Sequence, residues 1–148
     1  MNPWDIHALL TAKHAQHVVL IHFPIALFLA GVGFDLVATI TRRREWALAA
    51  CYNFIFAAAS AVPAALTGLL AWQWELEGRR LKGILLLHLL FGASSALLIL
   101  VVAWIHSRSH RRHDGLLPAF RWPLQALAVV LVILTGHLGG FLSGVNHP

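Results

Sequence analysis

Length, composition and charge restrict the class of protein from the start. The chain has 148 residues, of which 59% are hydrophobic and 11% are charged, whereas an ordinary soluble domain carries about 25% charged residues. This composition predicts a single membrane domain over residues 1–148. The formal charge of +5 comes from arginines in the gaps between apolar runs, which is typical of membrane loops and argues against nucleic-acid binding. The single cysteine, Cys51, excludes CxxCH haem attachment and CxxC metal motifs.

Four long apolar runs follow in chain order, at residues 18–41, 47–72, 84–106 and 119–143. Each is close to the roughly 20 residues that a helix needs to cross a ~30 Å hydrocarbon core. The first run is interpreted as a retained helix rather than a signal peptide, because residues 1–12 carry Asp5 and neither Lys nor Arg. Short connections make successive helices antiparallel, so the sequence predicts an all-α, up-down four-helix transmembrane bundle.

Basic residues predict the orientation of this bundle. One side of the membrane receives seven of them, namely Arg42, Arg43, Arg44, Arg108, Arg111, Arg112 and Arg121. The other side receives four, namely Lys13, Arg79, Arg80 and Lys82. The positive-inside rule then places both termini on the non-cytoplasmic side of a multi-pass protein in a bacterial inner membrane.

Histidines converge on one level of the predicted bundle. His22 and His88 each lie about one helical turn inside the outer boundary and His137 lies slightly deeper, at roughly 6–9 Å for all three. His17 lies at the outer rim, whereas His106, His110 and His113 are expected in the basic cytoplasmic loop. Histidine inside a membrane span indicates a functional site, although each ring could instead hydrogen-bond a neighbouring helix as structural glue.

Several cofactors are compatible with this pattern. Haem b needs no cysteine and is held by histidines on facing helices of a bundle, and the small residues along the same helix faces suit a flat porphyrin. Zinc or copper is the alternative, since catalytic zinc commonly uses three histidines and imidazole also suits copper. The candidate cofactor-binding residues are His17, His22, His88 and His137, with His22 and His88 as the expected metal ligands.

Three short motifs resemble a family of small bacterial membrane proteins, domain of unknown function 2231. The chain carries His17 followed by IHFPIAL at 21–27, then PAALTGLLAW at 63–72, then TGHLGG at 135–140. The resemblance covers most of the chain and makes His17, His22, His88 and His147 the family-like histidines. His137 stands where the family would have a bulky apolar residue, and His17 lacks the proline that usually follows it.

The resemblance implies a haem- or redox-associated membrane module, sometimes joined to cytochrome c-like or Rieske-like domains. Together with the histidines, it leads us to expect a b-type cytochrome-like electron carrier or subunit rather than a stand-alone enzyme. Its expected partners are the lipid bilayer, a periplasmic cytochrome c-like or Rieske-like protein, a quinol, and other subunits of a homo- or hetero-oligomer. The alternatives are a non-catalytic anchor or assembly subunit with structural histidines, or a copper- or zinc-handling protein.

One acidic residue, Asp35, lies within the first apolar run. It could relay protons, but we expect it to pair with an arginine of the adjacent loop.

Overall fold

Five helices make up the computed structural model, which describes residues 13–74, 77–78, 80–111 and 117–143. They are α1 (Lys13–Leu20), α2 (His22–Thr41), α3 (Arg44–Trp74), α4 (Gly83–Arg111) and α5 (Arg121–Leu142). No strand occurs within the described residues. The predictions for His113 and His147 concern residues that lie outside this part of the chain.

A proline separates α1 from α2 without interrupting the membrane span. Pro24 has no N–H, so the carbonyl of Leu20 lacks its usual partner four residues later. The chain nevertheless continues in helical register, because the N–H of Ile21 donates to the carbonyl of His17 at 3.0 Å. α1 and α2 together provide one apolar span from residue 16 to 41, and His17 lies before the break.

Four spans are long and apolar enough to cross a membrane: Gln16–Thr41, Arg44–Trp74, Gly83–Arg111 and Arg121–Leu142. The predicted all-helical membrane bundle is confirmed, with shifted boundaries. α4 continues five residues past the predicted end at 106, because His106 and Ser109 are buried inside the bundle. α3 begins three residues earlier than predicted, directly after the two-residue turn at 42–43.

The helices pack mainly against their neighbours in sequence. α3 contacts α1, α2 and α4, while α5 contacts α4 extensively and α2 only slightly. The side chains of Phe28 and Phe54 are fully buried, with ring centroids 5.5 Å apart. Val102 and Ala128 complete this core from α4 and α5. The core therefore lies in the half of the bundle that contains Arg42 to Arg44 and Arg121, which we call the arginine end.

Large apolar side chains cover the outside of the bundle. Leu97, Ile133, Trp104 and Ile40 are each more than half exposed. A surface of this kind is stable in lipid, where it faces hydrocarbon rather than water. The opposite end, which carries His17 and His88, is called the histidine end.

Candidate functional site: two histidines anchored to facing helices

His17 lies on α1 with its ring against α3. Its Nδ1 donates a hydrogen bond to the backbone carbonyl of Ala64 at 2.9 Å and lies 3.4 Å from the hydroxyl of Thr67. A Cβ added at Gly68 would lie only 2.8 Å from the His17 Cε1 atom. The ring therefore packs directly against the backbone of α3, and this contact is possible because Gly68 has no side chain.

His88, on α4, is also held by a backbone carbonyl next to a glycine. Its Nδ1 donates to the carbonyl of Thr135 on α5 at 3.1 Å, and a Cβ at Gly139 would lie 3.2 Å from its Cε1 atom. In both cases the accepting carbonyl belongs to residue i and the glycine is residue i+4. A helical carbonyl points toward residue i+4, so a glycine there leaves the oxygen accessible to a second donor.

The two rings are neighbours at the histidine end. The ring centroids of His17 and His88 are 6.5 Å apart, with the ring planes perpendicular. Both side chains are half-buried. Two different helices thus deliver two imidazoles to one location, and two further helices fix their orientation.

The anchoring carbonyls determine where each ring carries its proton. A carbonyl oxygen only accepts, so Nδ1 must be the protonated nitrogen in both rings. In the neutral imidazole the basic lone pair then belongs to Nε2. Metal-ligating histidines typically show this arrangement, with one ring nitrogen donating to a carbonyl and the other coordinating the metal.

The other two candidate histidines have different surroundings. His22 begins α2, is exposed, and uses its Nδ1 to bond the carbonyl of Val18 on the preceding turn at 2.7 Å. His137 is exposed and packs edge-on against Phe141, with ring centroids 5.0 Å apart. Ring contacts in the described chain join His88 to His17 and not to His22. The described residues also contain no group of three or more His, Cys, Asp or Glu side chains that could hold a metal ion.

The family model for predicted membrane proteins, DUF2231, matches residues 13–146. The chain belongs to this family. No curated protein and no solved structure matches it significantly.

The DUF2231 motifs take on specific roles in this geometry. The PAALTG stretch at 63–68 supplies the carbonyl of Ala64, the hydroxyl of Thr67 and the bare backbone of Gly68 beneath His17. The TGHLGG stretch at 135–140 supplies the carbonyl of Thr135 and the backbone of Gly139 beneath His88. From the sequence, these small residues could be recognised as the uncrowded faces of two helices. The sequence did not indicate which histidine ring packs against each face.

A second polar group lies near the arginine end, around the buried Asp35 carboxylate. Its Oδ2 atom accepts a hydrogen bond from Arg121 Nε and another from Gln125 Nε2, each at 2.9 Å. Arg121 also donates from Nη2 to the hydroxyl of Thr39 at 2.9 Å. The expectation that Asp35 pairs with the adjacent loop was wrong: its partner begins α5, 86 residues away. Asp35 lies almost two turns before that loop and points into the bundle, where Arg121 arrives from another helix.

His106 completes this Asp35 cluster. The sequence placed it in a basic loop, but it is buried within α4, because that helix extends further than predicted. Its Nδ1 donates to the carbonyl of Val102 at 2.9 Å, and its Nε2 lies 3.5 Å from Asp35 Oδ2. Its ring packs on Phe54 at a centroid distance of 4.5 Å. If the helix predicted from the third apolar run had been continued beyond residue 106, His106 would have been placed on its buried face.

Proposed function

We propose that this protein is a b-type cytochrome-like electron-transfer protein or subunit, in which His17 and His88 would hold haem b. The observation that supports this most strongly is the pair of neighbouring rings, each anchored through Nδ1 to a carbonyl of a different helix. Such anchoring presents Nε2 in a fixed direction before any ligand binds. The sequence alone had suggested His22 and His88 as the ligand pair. In the pair proposed here, His17 takes the place of His22.

The closeness of the two rings suits a shared ligand. Their centroids are 6.5 Å apart, and they belong to different helices, α1 and α4. His17 and His88 would therefore hold one group between them.

The number of protein donors favours haem over zinc. A zinc site uses three or four protein ligands, and the described residues assemble no group of that size. Haem iron already has four porphyrin nitrogens, so two histidines complete its coordination. When bound, haem would supply one-electron redox chemistry. The protein's residues would fix the ligand rings, and the surrounding bilayer would limit access of water to the histidine end.

Electron exchange with a membrane quinol and with a periplasmic cytochrome c-like or Rieske-like protein is the role we propose for this site. Such partners require the histidine end to face the non-cytoplasmic side of a bacterial inner membrane, as the distribution of arginine and lysine predicts. Copper is the second candidate occupant, because imidazole ligands also suit it.

Absorption spectroscopy of the purified protein tests this proposal. The protein should be expressed with adequate haem supply, purified in mild detergent, and measured before and after reduction with dithionite. A Soret band and an α band that sharpens on reduction are the expected result. A colourless protein that contains stoichiometric copper would favour the metal-handling alternative. A colourless protein without metal would reject both cofactors and leave the two histidines as interhelical hydrogen-bond donors.

A further inference from the structure

A cavity of about 460 Å³ opens at the arginine end, between the end of α2, the start of α3 and the segment that leads into α5. Four arginines line it, namely Arg42, Arg43, Arg44 and Arg121. Its remaining lining is mostly apolar and includes Ala38, Ala47 and Leu117. The cavity therefore combines a dense group of guanidinium donors with a hydrocarbon wall.

Two of these four charges are already balanced within the described part of the chain. Arg121 is paired with Asp35 at 2.9 Å, and Arg43 is paired with Glu45 at 2.8 Å. Arg42 and Arg44 have no carboxylate partner among the described residues. The cavity thus retains two guanidinium groups that are available to pair with an anionic ligand.

The backbone at Arg42 is strained in a way that a different residue would avoid. Arg42 caps α2 with a φ of 54°, in the left-handed region, and its N–H donates to the carbonyl of Ala38 at 2.8 Å. Helices usually end in this conformation at glycine, which has no Cβ to clash. An arginine at such a position is a reason to look for a function of its side chain.

The position of Arg44 also indicates an anion-binding role. Arg44 is the first residue of α3, a helix of 31 residues, where the positive end of the helix dipole disfavours a cation and attracts an anion. Arg42 and Arg43 lie between two membrane spans, and Arg44 is the first residue of the second span. They are therefore at the level of the phospholipid headgroups, where basic pockets between helices bind anionic lipids.

We propose that this cavity binds the phosphate of an anionic phospholipid, with Arg42 and Arg44 as the principal donors. Guanidinium groups pair with phosphate through two parallel hydrogen bonds. The apolar wall at Ala38, Ala47 and Leu117 would contact the acyl chains. This site is separate from the histidine end and does not depend on a bound cofactor.

Native mass spectrometry of the detergent-purified protein tests this site directly. The protein should be titrated with phosphatidylglycerol, with phosphatidylcholine and with inorganic phosphate. We expect phosphatidylglycerol to bind and to raise the unfolding temperature, while the other two have little effect. Arg42→Gln with Arg44→Gln should weaken phosphatidylglycerol binding by about tenfold or more, as expected for lost charge-assisted hydrogen bonds.

Two further variants test whether any loss of lipid binding is due to the site itself, to the lower net charge or to misfolding. Arg108→Gln with Arg111→Gln removes the same charge from the same end, but Arg108 lies over Trp104 outside the cavity, so lipid binding should persist. Arg42→Gly relieves the backbone strain and should keep the fold while weakening lipid binding.

Equal loss of binding in the two double variants would reject the site, since it would show attraction to net charge alone. Binding of inorganic phosphate as tight as that of phosphatidylglycerol would reject the lipid as occupant. Unchanged lipid binding in Arg42→Gly, with the protein folded, would reject the role of Arg42.

Discussion

The two ends of the bundle hold their polar side chains by different means. At the arginine end, Asp35 is bound by side chains from α5 and lies beside a fully buried aromatic core. At the histidine end, His17 and His88 are bound by backbone carbonyls and lie half-buried against glycines. In the Asp35 cluster, charged side chains balance one another, whereas each of the two histidine rings is held by an uncharged carbonyl of another helix. The difference separates a buried side-chain cluster that stabilises the bundle from a half-buried pair of rings for which we propose a cofactor.

Asp35→Ala should have the largest effect on stability. Removing one partner of a buried ion pair leaves the other charge unbalanced, which costs about 3–5 kcal/mol. Arg121 would be the unbalanced charge, since its side chain is only 10% exposed. Unfolding by increasing mole fraction of SDS measures this loss. The matched control is Glu45→Gln, which breaks the exposed pair with Arg43 and should leave the transition unchanged. Equal effects of the two variants would show that the buried Asp35 pair stabilises the bundle no more than the exposed pair.

Gly31→Ala should have the next largest effect on stability. A Cβ at Gly31 would lie 2.7 Å from the Phe54 Cε1 atom, and this ring is fully buried. Overpacking of this kind costs about 1–3 kcal/mol. Gly33→Ala, two residues later on the same helix, is the control, because nothing lies within 4 Å of its added Cβ. The same SDS titration should distinguish the two, and identical midpoints would contradict the close contact between α2 and α3.

Gly68→Ala should affect binding of the proposed haem more than the fold. The added methyl would lie 2.8 Å from the His17 ring, so the ring must leave its carbonyl, and haem content should fall. Gly136→Ala on α5 is the control, with nothing within 4 Å of the new Cβ. The ratio of Soret to protein absorbance measures haem content. Full haem content in Gly68→Ala would mean that His17 is not held by α3 for ligation.

Gly139→Ala should produce the smallest of these effects. The added Cβ would lie 3.2 Å from the His88 ring, a distance that a small displacement of the ring can relieve. A shifted α band with haem largely retained is the expected result in the reduced spectrum. The expected order follows from the two Cβ distances, 3.2 Å at Gly139 and 2.8 Å at Gly68. A greater loss of haem in Gly139→Ala than in Gly68→Ala would contradict it.

The helices could be predicted from the sequence because each span is one long run whose length and apolar composition are those of a membrane-crossing helix. Their boundaries were harder to predict, since the burial of His106 depends on contacts with other helices.

The direction of each ring around its helix could not be predicted. His17 and His22 are five residues apart, which places them about 140° apart around a helix. Only the packing of α1 against α3 decides that His17 points inward while His22 is exposed. The Asp35 pair likewise depends on which helix lies opposite, and Arg121 is 86 residues away in sequence.

Haem content after single histidine substitutions tests the central proposal most directly. His17→Ala, His22→Ala, His88→Ala and His137→Ala should be purified in parallel and compared by their reduced-minus-oxidised spectra. We expect His17→Ala and His88→Ala to lose the haem or change its spin state, while His22→Ala and His137→Ala retain the spectrum of the unaltered protein. Unchanged spectra in His17→Ala and His88→Ala, or loss of haem in His22→Ala alone, would contradict the account.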